Sequence, residues 1–440
     1  MKWVAIFFAV SIVVPGCSPL SVPSSPRLNS PASLLTHSTV KYKDLFDFDG
    51  TDGSSPAASL IAVNGVLYGT APAGGKDGYG AVFRVNAAGN EVAIYSFKGS
   101  PDDGAAPEAP LLDLHGTLYG TTTGGGAGNC SAGKARGATS GSNIGCGTVF
   151  SISTSGKERV IYSFKGGADG GDPVAPVIDV NGILYGTTYA GGEDMLGSVF
   201  SLTTSGSERV LFSFPGGNDG DSPDSGLVHA GDQFYGTTFT GGYSRSSSSL
   251  CYAYAPGCGI VYALSASGKE RVLHQFKGAP RDGAFPVGVT YANGMLYGTT
   301  AFGGSHSCVL GSGLVTGCGT VFSLTPAGKE AVLHSFDSSD GYRVESVPIY
   351  VSGNLYGTAY AGGKGKCYDV YLQLAGCGTI FEVNRTGKTT ILYNFKGSPS
   401  DGEYPLAGLL DVGGTFYGTT AVGGKYGPSY GNGTVFSLTP

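Results

Sequence analysis

An apolar residue followed by Tyr-Gly-Thr recurs seven times along this 440-residue chain. The tyrosines are Tyr68, Tyr119, Tyr185, Tyr235, Tyr297, Tyr356 and Tyr417, at spacings of 51, 66, 50, 62, 59 and 61 residues. A supersecondary unit copied at such a period cannot bury its apolar face alone. Its copies must stack around a ring or along a solenoid. Length by itself would allow two or three domains, but one pattern runs from Lys41 to Pro440.

Each unit holds four strand-like segments. The first follows Asp-Gly-x-x-Pro, as in Pro110-Leu111-Leu112-Asp113-Leu114, and a turn such as Asn181-Gly182 leads to the Tyr-Gly-Thr strand. The third carries a Val-Phe type pair (Val82-Phe83, Val149-Phe150). A hairpin glycine follows (Gly89, Gly156), and the fourth strand ends in phenylalanine (Phe97, Phe164). Short β-branched and aromatic runs between such turns are antiparallel hairpins, and four per unit make a propeller blade. The 77 glycines and the scarcity of charged residues, 13 %, suit many tight turns.

The chain ends test this reading. The seventh unit stops at Pro440 after its third strand, and the missing fourth lies at the start, Leu45-Phe46-Asp47-Phe48. The expectation is therefore an all-β, seven-bladed propeller of 28 strands, closed by one N-terminal and three C-terminal strands. A closed ring needs no partner to protect strand edges, so a monomer is expected. Alternating strand direction puts the Asp-Gly crossings and the loops between second and third strands on one face. The opposite face carries only short turns, so any ligand site belongs on the decorated face.

The N-terminus reads as an export signal. Lys2 precedes an apolar run from Trp3 to Val14, too short to span a bilayer. It ends in Val14-Pro15-Gly16-Cys17, which resembles a bacterial lipobox and implies cleavage before Cys17 and lipid attachment to it. An ordinary signal peptide cut nearby is the alternative. Residues 1–16 are then signal, 17–40 a Ser/Pro-rich tether and 41–440 the propeller. Ser18 resembles the choice in lipoproteins sorted to an outer membrane, so an exported outer-membrane or cell-surface lipoprotein is expected. The formal net charge of −6 argues against a nucleic-acid partner.

Eight further cysteines form close pairs: Cys130 with Cys146, Cys251 with Cys258, Cys308 with Cys318, and Cys367 with Cys377. Each pair lies between a Tyr-Gly-Thr strand and the next apolar strand. Export favours four local disulfides. Zinc is the competing idea, but the pairs lack CxxC spacing and no histidine recurs beside them.

Gly-x-Leu-Tyr-Gly-Thr-Thr-x-x-Gly-Gly, Gly-Thr-Val-Phe-Ser-Leu-Thr and Ser-Phe-Lys-Gly…Asp-Gly-x-x-Pro together resemble the GloVer tandem repeat of exported bacterial proteins, over about 400 residues. The resemblance implies a surface-anchored protein and brings no reaction, cofactor or catalytic residue.

The residues themselves supply few candidates. Seven crossing aspartates, Asp52, Asp103, Asp169, Asp219, Asp282, Asp340 and Asp401, could hold calcium, but Asp-Gly is a turn pair and a sevenfold ring points to turns. The seven tyrosines could stack on sugars, although packing is the plainer role. His274 and His334 occupy the slot of Tyr95, Tyr162 and Tyr393 and read as aromatic substitutes. No motif for a nucleophile, metal or phosphate stands out, so neither metal nor cofactor is expected. Departures from the repeat are better pointers. Val344 replaces the sixth crossing's proline within Gly341-Tyr342-Arg343-Val344-Glu345, and two stapled loops hold Tyr252, Tyr254, Tyr368 and Tyr371. Tyr342, Arg343, Glu345 and those four tyrosines are the candidate contacts for a glycan, peptide or surface-protein ligand. The alternative, a polysaccharide lyase or hydrolase working at the central channel, requires Arg281, Arg343 and Glu345 to converge.

Overall fold

The computed structural model describes residues 40–86, 88–130, 145–242, 251, 257–310, 315–369, 373–427 and 431–440. Seven four-stranded antiparallel sheets form the blades of a β-propeller, and two short 3₁₀ segments, Gly167–Asp169 and Gly217–Asp219, lie at the crossings. The first blade pairs Ile61–Val63, Val66–Ala71, Ala81–Val85 and Glu91–Ser96 in that order. The last pairs Leu410–Val412, Thr415–Thr420 and Thr434–Thr439 with the N-terminal strand Lys41–Asp47, from Lys41↔Thr439 to Asp47↔Thr434 with a one-residue slip between Asp44 and Phe46. The expected closure by one strand plus three is what the chain forms.

The geometry explains the Tyr-Gly-Thr repeat residue by residue. Its glycine leaves room for the phenylalanine of the paired third strand. A Cβ on Gly120 would lie 2.5 Å from Phe150 Cζ, and one on Gly69 the same distance from Phe83 Cζ. That phenylalanine in turn meets the terminal phenylalanine of the preceding blade edge to face. Phe97 meets Phe150 at 5.1 Å, and Phe48 closes the circle on Phe83 at 4.9 Å. These rings are fully buried. The threonine hydroxyl reaches across to the next blade. Thr121 donates to Ala175 O at 2.9 Å, and Thr419 donates to Ala58 O at 3.2 Å across the chain closure. The tyrosines themselves are buried or half-buried, as packing required.

One feature of the blades was not legible in the sequence. The pairing of third and fourth strands slips by one residue beside each Val-Phe pair, as at Val82/Phe83 and Val149/Phe150. The displaced residue points its carbonyl at the hairpin glycine of the next blade. A Cβ on Gly206 would sit 2.9 Å from Ile161 O, and Gly206 also has φ +97°. Bulge and glycine are thus one device that lets neighbouring blades approach.

Each crossing pairs with the loop between second and third strands, as in Gly104↔Gly125, Gly171↔Ala190 and Tyr342↔Ala361. Crossings and stapled loops therefore share one face. All four expected cysteine pairs are disulfides.

The crossing aspartates serve the turns. Asp103 Oδ2 accepts hydrogen bonds from Tyr95 Oη at 2.7 Å and from the Lys98 N–H at 2.9 Å, and its Oδ1 accepts from the Gly104 N–H at 2.7 Å. Asp401 repeats this set with Tyr393, Lys396 and Gly402. His334 stands in the tyrosine slot with Nε2 2.9 Å from Asp340 Oδ2. Behind the aspartate, most junctions place a half-buried glutamate from the next blade's outer strand. Burial first, and the neighbouring aspartate second, push Glu91 up to about 8 and Glu158, Glu208 and Glu270 up to about 7.

Two outcomes follow. Gly120→Ala drives a methyl into the Phe150 ring and should destabilise the fold by about 1–3 kcal/mol in urea unfolding. The raised glutamates bind a proton more tightly folded than unfolded. Their stability contribution is complete below the ordinary value of 4.5 and is lost as pH rises through about 7 to 8. The melting temperature should fall steadily from about pH 5 to about pH 8 and then level off, and Glu91→Gln should make the decline shallower.

Candidate functional site

The channel on the propeller axis owes its lining to the crossings. Three residues after each aspartate the chain takes a left-handed turn: Ser55, Ala106, Asp172, Ser222, Phe285, Arg343 and Tyr404 all have φ between 54° and 58°. The next residue packs onto a glycine of the preceding blade. In six crossings it is proline, such as Pro173 against Gly147. In the sixth blade it is Val344, whose Cγ2 would lie 3.3 Å from a Cβ on Gly319. Val344 therefore fills the proline's place, and that departure from the repeat is a packing substitution.

The residue after that, five beyond the aspartate, faces the axis in every blade. Ala57, Glu108, Val174, Asp224, Val287, Glu345 and Leu406 form a ring that lines two adjoining cavities, of ≈ 520 Å³ towards the decorated face and ≈ 330 Å³ beyond it. Carboxylates occupy the second, fourth and sixth blades and apolar side chains the others. Glu108 and Asp224 were missed in the sequence. Aligning the seven crossings on their aspartates and reading the fifth position would have found them.

Arg343 and Glu345 come together at this channel. Arg343 Nε donates to Glu345 Oε1 at 2.7 Å, and the two side chains are 24 % and 22 % exposed. The guanidinium also lies 4.9 Å over the Tyr360 ring. Tyr360 stacks on Tyr404 at 4.7 Å, and its hydroxyl donates to Asp369 Oδ2 at 2.7 Å. Burial and that carboxylate keep the phenol proton in place well above the ordinary range. Two blades back, Phe239 stacks on Phe285 at 4.7 Å. The upper chamber thus offers flat aromatic faces beside three carboxylates and one guanidinium.

The remaining candidates lie elsewhere. Arg281 is exposed on its crossing loop and does not line the channel, so only two of the three groups required for the enzyme reading converge. Tyr342 is 5 % exposed and shares a hydrogen bond with Thr316 Oγ1 at 3.0 Å, so it braces the Cys308–Cys318 loop. Tyr368 is 52 % exposed on a two-residue ribbon within the Cys367–Cys377 loop. Tyr252, Tyr254, Tyr371 and Cys17 lie outside the described residues.

Among solved structures, a WD40 β-propeller domain is similar at a TM-score of 0.48 and 9 % identity, over 90 % of this chain and 96 % of that one. A luciferin-regenerating enzyme is similar at 0.42 and 15 %, over 75 % and 90 % of the two chains. A gluconolactonase from Xanthomonas campestris is similar at 0.37 and 14 %, over 66 % and 78 %. Likenesses this distant carry no functional argument. No curated protein matches the sequence significantly. The Gloeobacter/Verrucomicrobia repeat profile matches residues 34–134, 130–371 and 309–440, in line with the GloVer resemblance read from the motifs. The chain belongs to the Gloeobacter/Verrucomicrobia repeat family.

Proposed function

We propose that this chain is an exported, lipid-tethered propeller that binds a glycan on its decorated face without cleaving it. One observation carries the reading. Of ten large apolar side chains exposed among the described residues, Tyr79, Met195, Val309, Val315, Tyr368 and Tyr426 all lie on loops between second and third strands. They lie on the same face as the disulfide-stiffened loops. Exposed apolar groups gathered on one face, which also borders the polar axial cavity, suit contact with an extended ligand. Aromatic faces stack on sugar rings, and the channel carboxylates accept hydroxyl hydrogens. A peptide or surface protein would use the same face.

Export and tethering rest on the apolar segment ending in Cys17 and on the disulfides, which belong to an oxidising compartment. No helix among the described residues is long and apolar enough to cross a membrane. The second reading, a hydrolase, draws support from Glu108, Asp224 and Glu345 lining a single cavity, since glycoside cleavage needs paired carboxyl groups.

The two readings separate in one experiment. A soluble version starting at residue 37 is incubated with envelope and plant polysaccharides, and retained glycan and products are read by mass spectrometry. Retention of intact glycan is expected, and Tyr368→Ala or Tyr426→Ala should weaken it by about tenfold, about 1.4 kcal/mol. Shortened products that disappear in Glu108→Gln would replace binding by hydrolysis. Separately, Cys17→Ser should move the full chain from the membrane pellet to the soluble fraction.

A further inference from the structure

The seven blade junctions use three equivalent positions: the residue two before the terminal phenylalanine, the crossing aspartate, and the start of the next blade's outer strand. Between the first and second blades these are Tyr95, Asp103 and Glu158; between the fifth and sixth they are His334, Asp340 and Thr389. Only between the fourth and fifth blades do an imidazole and two carboxylates meet, as His274, Asp282 and Glu330. Their ligand-capable atoms lie within 4.8 Å of one another. We propose that these three side chains form a site for a divalent transition-metal ion, zinc by its coordination preference, which ties the fourth blade to the fifth.

Several details fit an ion better than a hydrogen-bonded cluster. His274 Nε2 is 3.3 Å from Asp282 Oδ2, whereas the related His334–Asp340 pair closes to 2.9 Å. Two ligands at about 2.0–2.1 Å from a tetrahedral ion stand about 3.3 Å apart. A charge-assisted hydrogen bond of this type would be shorter, about 2.7–2.9 Å. Glu330 Oε1 is buried without a hydrogen-bond partner, as are the equivalent Oε1 atoms of Glu91, Glu158, Glu208 and Glu270, and of these glutamates Glu330 alone shares its cluster with an imidazole. The Lys277 ammonium also lies near Glu330 but makes no hydrogen bond to that oxygen.

Asp282 is held in place by the Lys277 N–H on Oδ2 at 2.9 Å and the Gly283 N–H on Oδ1 at 2.7 Å, the outer support that metal-binding carboxylates use. A neutral imidazole with two carboxylates balances a dication, and the nitrogen donor favours zinc over calcium or magnesium. The side chains of His274 and Asp282 remain 15 % and 11 % exposed, which leaves an entry path and room for water in the fourth position. The other group of potential donors, Cys367, Cys377 and Glu403, has both sulfurs committed to a disulfide.

The full chain, purified in detergent with a tag free of histidine, is dialysed against zinc and assayed by elemental mass spectrometry. One zinc per chain and a zinc-dependent rise in melting temperature are expected. His274→Tyr and Glu330→Thr install residues that other junctions already use, so both preserve the packing. Each should lower zinc affinity by at least about tenfold, while His334→Tyr should leave it unchanged. Cobalt in place of zinc should give visible absorption in the parent and lose it in His274→Tyr. The site is refuted if the parent retains no stoichiometric zinc. It is equally refuted if both His274→Tyr and Glu330→Thr keep the zinc, or if His334→Tyr loses as much.

Discussion

The edge-to-face contact between phenylalanines of successive blades is the interaction on which the rest of this propeller depends. Each terminal phenylalanine of an outer strand meets the third-strand aromatic ring of the next blade, from Phe48 on Phe83 round to Phe395 on Phe436. Burying one such ring contributes about 1.5–3 kcal/mol. A single blade cannot collect that contribution, because the surface it needs belongs to its neighbour. The glycine of Tyr-Gly-Thr is the condition for this packing, since any Cβ there would occupy the ring's place.

Once the rings fix the spacing of the blades, polar groups between them must be satisfied locally or become a liability. The repeat threonines and the crossing aspartates do this with hydrogen bonds that span blades or cap turns. The junction glutamates are the exception, pressed against an aspartate and short of partners, and they make the fold sensitive to alkali. At two junctions the tyrosine slot holds histidine, and at the one that also keeps its glutamate the same crowding offers a set of potential ligands. A structural repeat thus acquires a new chemistry through one substitution, without altering the packing.

The axial channel shows the complementary freedom. Three positions in each crossing are constrained: the aspartate by its turn, the third residue by its left-handed backbone, and the fourth by contact with a glycine. The fifth faces the axial cavity, and across the seven blades it carries alanine, valine, leucine, aspartate or glutamate. Rigid neighbours and one variable position per blade allow a ring of side chains to be changed around a fixed hole.

The sequence by itself determined the number of blades, the strand count of each, the closure of the ring and the disulfide partners. The blades and their closure follow from local periodicity and turn chemistry, which recur seven times and so average out any single irregularity, and the disulfide partners follow from the closeness of each cysteine pair within one loop. His274 and His334 could likewise be read as stand-ins for tyrosine, because they share its register. What only the tertiary structure decided is which side chains meet across blades or across the axis. Glu108, Asp224 and Glu345 are more than a hundred residues apart in sequence, and they share a cavity because circular closure superposes equivalent positions. Arg281 and Arg343 look alike in the chain, yet one faces solvent and the other the channel, because they stand at different steps of the same crossing turn. Local patterns name the turns; the geometry of the closed ring decides what faces what.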